Sequence, residues 1–192
     1  MNDEKNLSSD KSLNIFTIGD QVLRAKTKAV TSFDNMLKKF VREMLACMYE
    51  NNGIGIAAPQ VGHSRKICVI DVSPCVSESD LCTMDGEQIT DIKTIMPLFL
   101  INPIITKKST DTCTEVEGCL SVPDFSAPVR RPVEVTVEYV DDDGKTHTLT
   151  ANAILSRCMQ HEIDHLNGQL YTDIIGKEDK VKLAKYLSTH GR

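Results

Sequence analysis

The chain has 192 residues, 41% hydrophobic and 26% charged, with a formal net charge of −5 at pH 7. That length suits one domain with a sizeable core, and an acidic balance without a basic stripe argues against a general DNA- or RNA-binding protein. Seven cysteines, an odd count without Cys-x-x-Cys pairs, argue against a disulfide framework or a Cys-only zinc ribbon and fit a reducing compartment.

Residues 1–12 (MNDEKNLSSDKS) have neither the apolar core of a signal peptide nor the Arg-rich composition of a transit peptide, and no apolar run approaches a membrane span. The expected location is the cytoplasm, with a flexible tail over 1–12 and a single domain over 13–192. Apolar residues at helical spacing predict a helix from Met36 to Met48, with Asp34 as N-cap and Gly53 beyond its end. In GIGIAAPQVG (53–62), small residues and glycines let a backbone come close to another chain or a ligand. No third glycine makes it a dinucleotide fingerprint. Gln60 places an amide just after this segment, an ordinary surface loop being the alternative.

Lys66 to Val72 reads as a buried strand and Leu98 to Ile101 as another, ending at Asn102 and Pro103. Between them, residues 73–97 form a polar, acidic surface insertion outside the site, with room for a short hairpin of its own. Its Cys75 and Cys82 read as incidental. In TCTEVEGCLSVP (112–123), Cys119 sits on a bend after Gly118, where neighbouring backbone N–H groups could be exposed. A buried structural thiol is the alternative, and Cys113 competes as a ligand. Val133 to Tyr139 alternates as a half-buried strand, Asp141 to Lys145 is a hairpin turn, and Thr146 to Thr150 returns.

Ala153 to Asn167 holds no Gly or Pro, and Gly168 stands where a helix stops. This helix carries His161, Glu162 and His165, the pattern H-E-x-x-H. The two imidazoles lie about 40° apart on the helical wheel, on a stripe with Ile154 and Cys158, and Glu162 stands about 100° from His161. Two histidines one turn apart can share an ion while the acid reaches a water beside it. Leu155, Met159, Ile163 and Leu166 continue the apolar arc, so the helix is buried on most sides. Asp164, at about 300°, points away from the ion. A catalytic site of this type wants a third protein ligand, which the spacing alone does not supply. After Gly168 come a short extended segment, Leu170 to Ile175, and a helix from Lys177 to Leu187.

Three stretches taken together, GIGIAAPQ (53–60), EGCLS (117–121) and QHEIDH (160–165), resemble in order the three signature motifs of peptide deformylases, within a likeness running from about Phe16 to Ile175. The resemblance implies an α+β single domain, antiparallel sheets packed around the H-E-x-x-H helix, with a C-terminal helix. It supplies Cys119 as the missing ligand beside His161 and His165 on one divalent ion, Fe(2+) in the cell, with Zn(2+), Ni(2+) or Co(2+) as other occupants. The implied reaction removes the N-formyl group from formyl-methionyl nascent peptides and releases formate. Metal-activated water attacks, with Glu162 as general acid and base. Gln60 and the Leu120 N–H would steady the oxyanion, and Gly55 would pair with the substrate backbone. Ile54 and Leu155 would line the methionine pocket, and Glu117 would orient Gln60 or pair with Arg131.

Two features depart from that pattern: no arginine follows the Cys motif at Pro123 to Ser126, and the 73–97 insertion is long. Alternatives are an H-E-x-x-H zinc peptidase whose third ligand is Asp173, Glu178, Asp179 or His190, and a catalytically silent metal-binding relative. Lys177, Lys180, Lys182, Lys185 and Arg192 suggest a ribosome contact for the C-terminal helix, against the plainer reading of a solvated face.

Overall fold

A computed structural model describes residues 13–77 and 80–190; the expected tail over 1–12 and Arg192 lie outside the described residues. Helix α1 (Asn35–Glu50) begins where Asp34 accepts the Leu37 N–H at 2.9 Å, and it buries Leu37, Phe40, Val41, Met44, Cys47 and Met48 on one stripe. Strand β1 (Gly55–Ala57) runs into a single 3-10 turn, Ala58–Val61, that Gly62 ends in the left-handed region at φ 84°. Then follow β2 (Ile67–Ile70), β3 (Cys82–Met84), β4 (Glu87–Ile89), β5 (Leu98–Lys108), β6 (Thr112–Cys119), β7 (Val122–Pro132), β8 (Val135–Val140) and β9 (Thr146–Ala151). The chain closes with α2 (Ala153–Leu166), the one-turn α3 (Tyr171–Ile174) and α4 (Lys177–His190).

Seven strands form one antiparallel sheet in the order β1-β2-β5-β8-β9-β3-β4, and β6 and β7 form a separate ribbon. Side chains of β2 alternate between two cores. Cys68 and Ile70 join Leu155, Met159 and Leu166 of α2, and Ile67 and Val69 join Val41, Met44 and Met48 of α1. The sheet is therefore clamped between the two helices, and truncating any one of the Leu, Ile or Met side chains among these to Ala would cost about 2–5 kcal/mol. A third cluster sets Val122, Ala127 and Val129 of β7 against Tyr171, Ile175, Leu183 and Tyr186. Helix α2 is enclosed on nearly every side, with all of Leu155 to Ile163 buried. The fold is the expected α+β single domain around the H-E-x-x-H helix. Among the described residues, no helix is long and apolar enough to cross a membrane.

Several sequence expectations need correction. Strand β5 does not stop at Asn102 and Pro103. Asn102 turns to φ 53°, the register shifts between Ile101 and Ile104, and the Asn102 amide bonds both the N–H and the C=O of Val30. The 73–97 insertion does carry a hairpin, β3 with β4, but that hairpin extends the main sheet by pairing with β9. Its Cys82 and Ile92 are buried, and Leu81 exchanges bonds with Asn152, the residue that starts α2. The chain from Leu170 to Ile175 is not extended: Asp173 accepts the Leu170 N–H at 2.9 Å and winds one turn of helix.

Candidate active site

The turn between β6 and β7 brings Cys119 to the end of a ribbon in which Cys119 faces Val122 across the register. Beneath it lie His161 and His165, which α2 presents one turn apart. The donor atoms of Cys119, His161 and His165 all lie within 4.8 Å of one another, and Cys119 Sγ is 3.2 Å from His165 Nε2. A thiol and two imidazoles form a donor set that suits a borderline divalent ion. His165, 1% exposed, is held well below its ordinary pKa, first by burial and then by the neighbouring His161, whereas His161, against the opposing effect of burial, is raised to about 10 by its bonds to Cys119 and Glu117, so an ion taken up there displaces a proton. His165 Nδ1, with Glu162 Oε2, is a buried side-chain atom without a hydrogen-bond partner among the described residues.

Glu162 is 3% exposed and stands beside this cluster. Burial pushes its carboxyl up to about 7, against the opposing pull of His161. A carboxyl that changes protonation near neutrality can both take and return a proton.

Behind the cluster lies a buried ionic network. Glu117 accepts from Arg131 Nε at 2.6 Å and NH2 at 2.9 Å, from Arg157 NH1 at 2.6 Å, and pairs with His161 Nδ1 at 2.9 Å. Burial alone would raise the Glu117 carboxyl, but its bonds to His161 and Arg131 hold it down at about 2. The His161 contact fixes that ring with Nδ1 toward the carboxylate, so that Nε2 is the nitrogen turned toward Cys119. Asp164, facing away from the cluster, holds Arg131 NH1 at 2.8 Å. Glu117 thus pairs with Arg131, as one of the two expectations had it, and does not orient Gln60. The Gln60 amide is held instead by the Ala57 N–H, which donates to Oε1 at 2.7 Å, and by Ser121 Oγ, 3.2 Å from Nε2.

These groups surround a cleft of about 830 Å³ whose walls include Ile54, Gly55, Gln60, Cys119, Leu120 and Glu162. Leu155 is a correction. It is fully buried in the core between α2 and the sheet, because its place on the wheel points it at Cys68 and Ile70, while Ile154 and Cys158 face the cleft. Asp173, a ligand candidate under the peptidase alternative, is tied to the Arg24 guanidinium at 2.5 and 2.9 Å. Arg157 and Ser121 escaped the sequence reading. A signal exists for Arg157, since an arginine on an otherwise enclosed helix needs a buried acid, and Glu117 of the EGCLS motif is one. For Ser121 the one signal is its place at the end of the EGCLS motif.

A buried carboxyl beside a thiol and two imidazoles in a cleft is an arrangement suited to metal-assisted hydrolysis, and comparison with known proteins narrows the class. The profile of the polypeptide deformylase family matches residues 12–181, and the chain belongs to that family. It is 39% identical to peptide deformylase 1 of Nostoc sp. over 98% of this chain and 91% of that one. It is 40% identical to peptide deformylase 2 of Gloeobacter violaceus over 93% and 86%. Among solved structures, the Synechococcus elongatus peptide deformylase in complex with actinonin superposes with a TM-score of 0.78 at 36% identity, covering 100% of this chain and 92% of that one. A Plasmodium falciparum peptide deformylase complex with inhibitor gives 0.76 at 35% identity, over 92% and 97%.

Proposed function

We propose that this chain hydrolyses the N-formyl group from the N-terminal methionine of newly made polypeptides, releasing formate. The observation that carries the reading is the convergence of Cys119, His161 and His165 beside a buried Glu162 whose Oε2 has no hydrogen-bond partner among the described residues. In this reading Cys119 Sγ and the two imidazoles hold one divalent ion, ferrous iron in the cell, with zinc, nickel or cobalt as substitutes; when bound it polarises a carbonyl and makes water more acidic.

The chain's own groups do the rest. Glu162 accepts the proton of the attacking water and hands it to the departing amine nitrogen, a role that its burial favours by raising the carboxyl above the ordinary range. Gln60 Nε2 and the Leu120 N–H donate to the formyl oxygen as its negative charge grows. Gly55 pairs with the substrate backbone through its own main chain. Ile54, with Ile154 and Cys158, encloses the methionine side chain. Glu117, braced by Arg131 and Arg157, keeps His161 turned toward the cluster.

The test is formate release from a formyl-methionyl peptide, measured before and after chelation and after adding back each metal with elemental analysis. We expect turnover to vanish on chelation and return with the ion. Cleavage of an internal peptide bond without formate would favour the peptidase alternative, and turnover that survives chelation would sink the metal's part. A second contact is proposed for α4. Lys177, Lys180, Lys182 and Lys185 are exposed, while Leu183 and Tyr186 anchor the helix on β7. Charge reversal at Lys177 and Lys180 should weaken salt-sensitive co-sedimentation with ribosomes; unchanged sedimentation would leave these lysines as a solvated face.

A further inference from the structure

Gln60 is 1% exposed, and the Ala57 N–H on its Oε1 decides which way the amide is turned. Nε2 therefore faces the turn after β6, where it donates to Ser121 Oγ at 3.2 Å and to Cys119 Sγ at 3.4 Å. Ser121 is itself fully buried. The main chains of both residues are stitched to the segment before α1: the Phe16 N–H donates to Gln60 O at 2.8 Å and the Ile18 N–H to Ser121 O at 2.7 Å. Three contacts, from Ala57, Ser121 and Cys119, thus converge on the one side-chain amide.

We infer that Ser121 is a positioning residue for deformylation: its hydroxyl oxygen pins one N–H of Gln60, so that the other, which donates to Cys119 Sγ in this structure, stays on the side from which the reacting carbonyl would approach. A terminal amide torsion has a broad energy surface and does not hold its angle unaided. A donor stabilises a developing oxyanion most when it needs no reorganisation at the moment of reaction. Ser121 supplies that fixity on the Nε2 side, as Ala57 does on the Oε1 side.

The inference rests on the oxyanion role proposed for Gln60, and a double-mutant cycle separates the two. Losing one neutral hydrogen bond corresponds to roughly a tenfold loss of rate. In the parent chain, Ser121→Ala should lower kcat about that much with KM, metal content and melting temperature little changed. In a Gln60→Ala background, itself slowed by roughly a hundredfold, Ser121→Ala should change nothing further. Ser121→Cys, which keeps a weak acceptor, should fall between the parent and the alanine variant. A loss by the same factor in both backgrounds, or none in the parent, overturns the inference while leaving Gln60 as donor. Full turnover by Gln60→Ala alone overturns the oxyanion role, and this inference with it.

Discussion

Glu162→Gln is expected to release formate roughly 10²–10⁴-fold more slowly than the parent chain while holding the same amount of metal. The amide matches the carboxylate in volume and fits the same enclosed place beside Gly55 and Cys158, but it can neither accept nor return a proton. The donors assigned to the ion are Cys119, His161 and His165, so elemental analysis should not move. A second readout separates this role from a structural one. The Glu162 carboxyl is raised from 4.5 to about 7 by burial, so between those values the folded chain binds a proton that the unfolded chain has lost. The penalty for a buried charge therefore grows as pH rises through that window and is fully present above it. In metal-free protein above pH 7, Glu162→Gln should be the more stable chain, by on the order of 3 kcal/mol at most. Turnover close to the parent's, or loss of the metal, would remove Glu162 from the place given to it here.

The geometry around Glu162 also marks what could be read without coordinates. Helix α2 was legible because its period is local: His161, His165 and Glu162 lie within two turns, and 3.6 residues per turn places all three. Cys119 was not legible that way. Its approach to His165 is made by the β6–β7 ribbon, and only the likeness of the EGCLS motif pointed to it. The ribbon escaped notice because β6 is exposed along most of its length and β7 carries Pro123, Pro128 and Pro132, which ordinarily argue against a strand. A two-stranded ribbon tolerates them, since each strand has a free edge. The mistake over Leu155 has a similar source: the wheel gives directions around α2 but does not say which neighbour lies in each direction. Ile154 faces the cleft and Leu155 the sheet, and that division is set by where β2 packs. The continuation of β5 through Asn102 likewise depends on a partner, Val30, that no local pattern names.

Gly55→Ala distinguishes two reasons for a glycine at this position. If Gly55 serves the substrate only through its main chain, alanine keeps the same N–H and C=O and the variant should work nearly as well as the parent. The surroundings of Gly55 point to a second reason. A Cβ on Gly55 would stand 2.4 Å from Glu162 Oε1, 2.8 Å from Cys158 Sγ and 2.9 Å from Glu162 Cδ. The closest of these is the tip of a flexible side chain that can turn aside, but the buried Cys158 Sγ must give way as well, so the variant should fold with a modestly lowered melting temperature. The larger cost falls on the reaction, because displacing a reacting group by about 1 Å can lose around a hundredfold in rate. We therefore expect Gly55→Ala to fold, to bind its metal, and to lose roughly that factor in kcat. Combined with Glu162→Gln it should lose little more, because the group it displaces no longer moves a proton. Full activity in Gly55→Ala would show that the carboxylate has another productive position, and additive losses in the double variant would place the methyl's effect on the substrate instead of on Glu162.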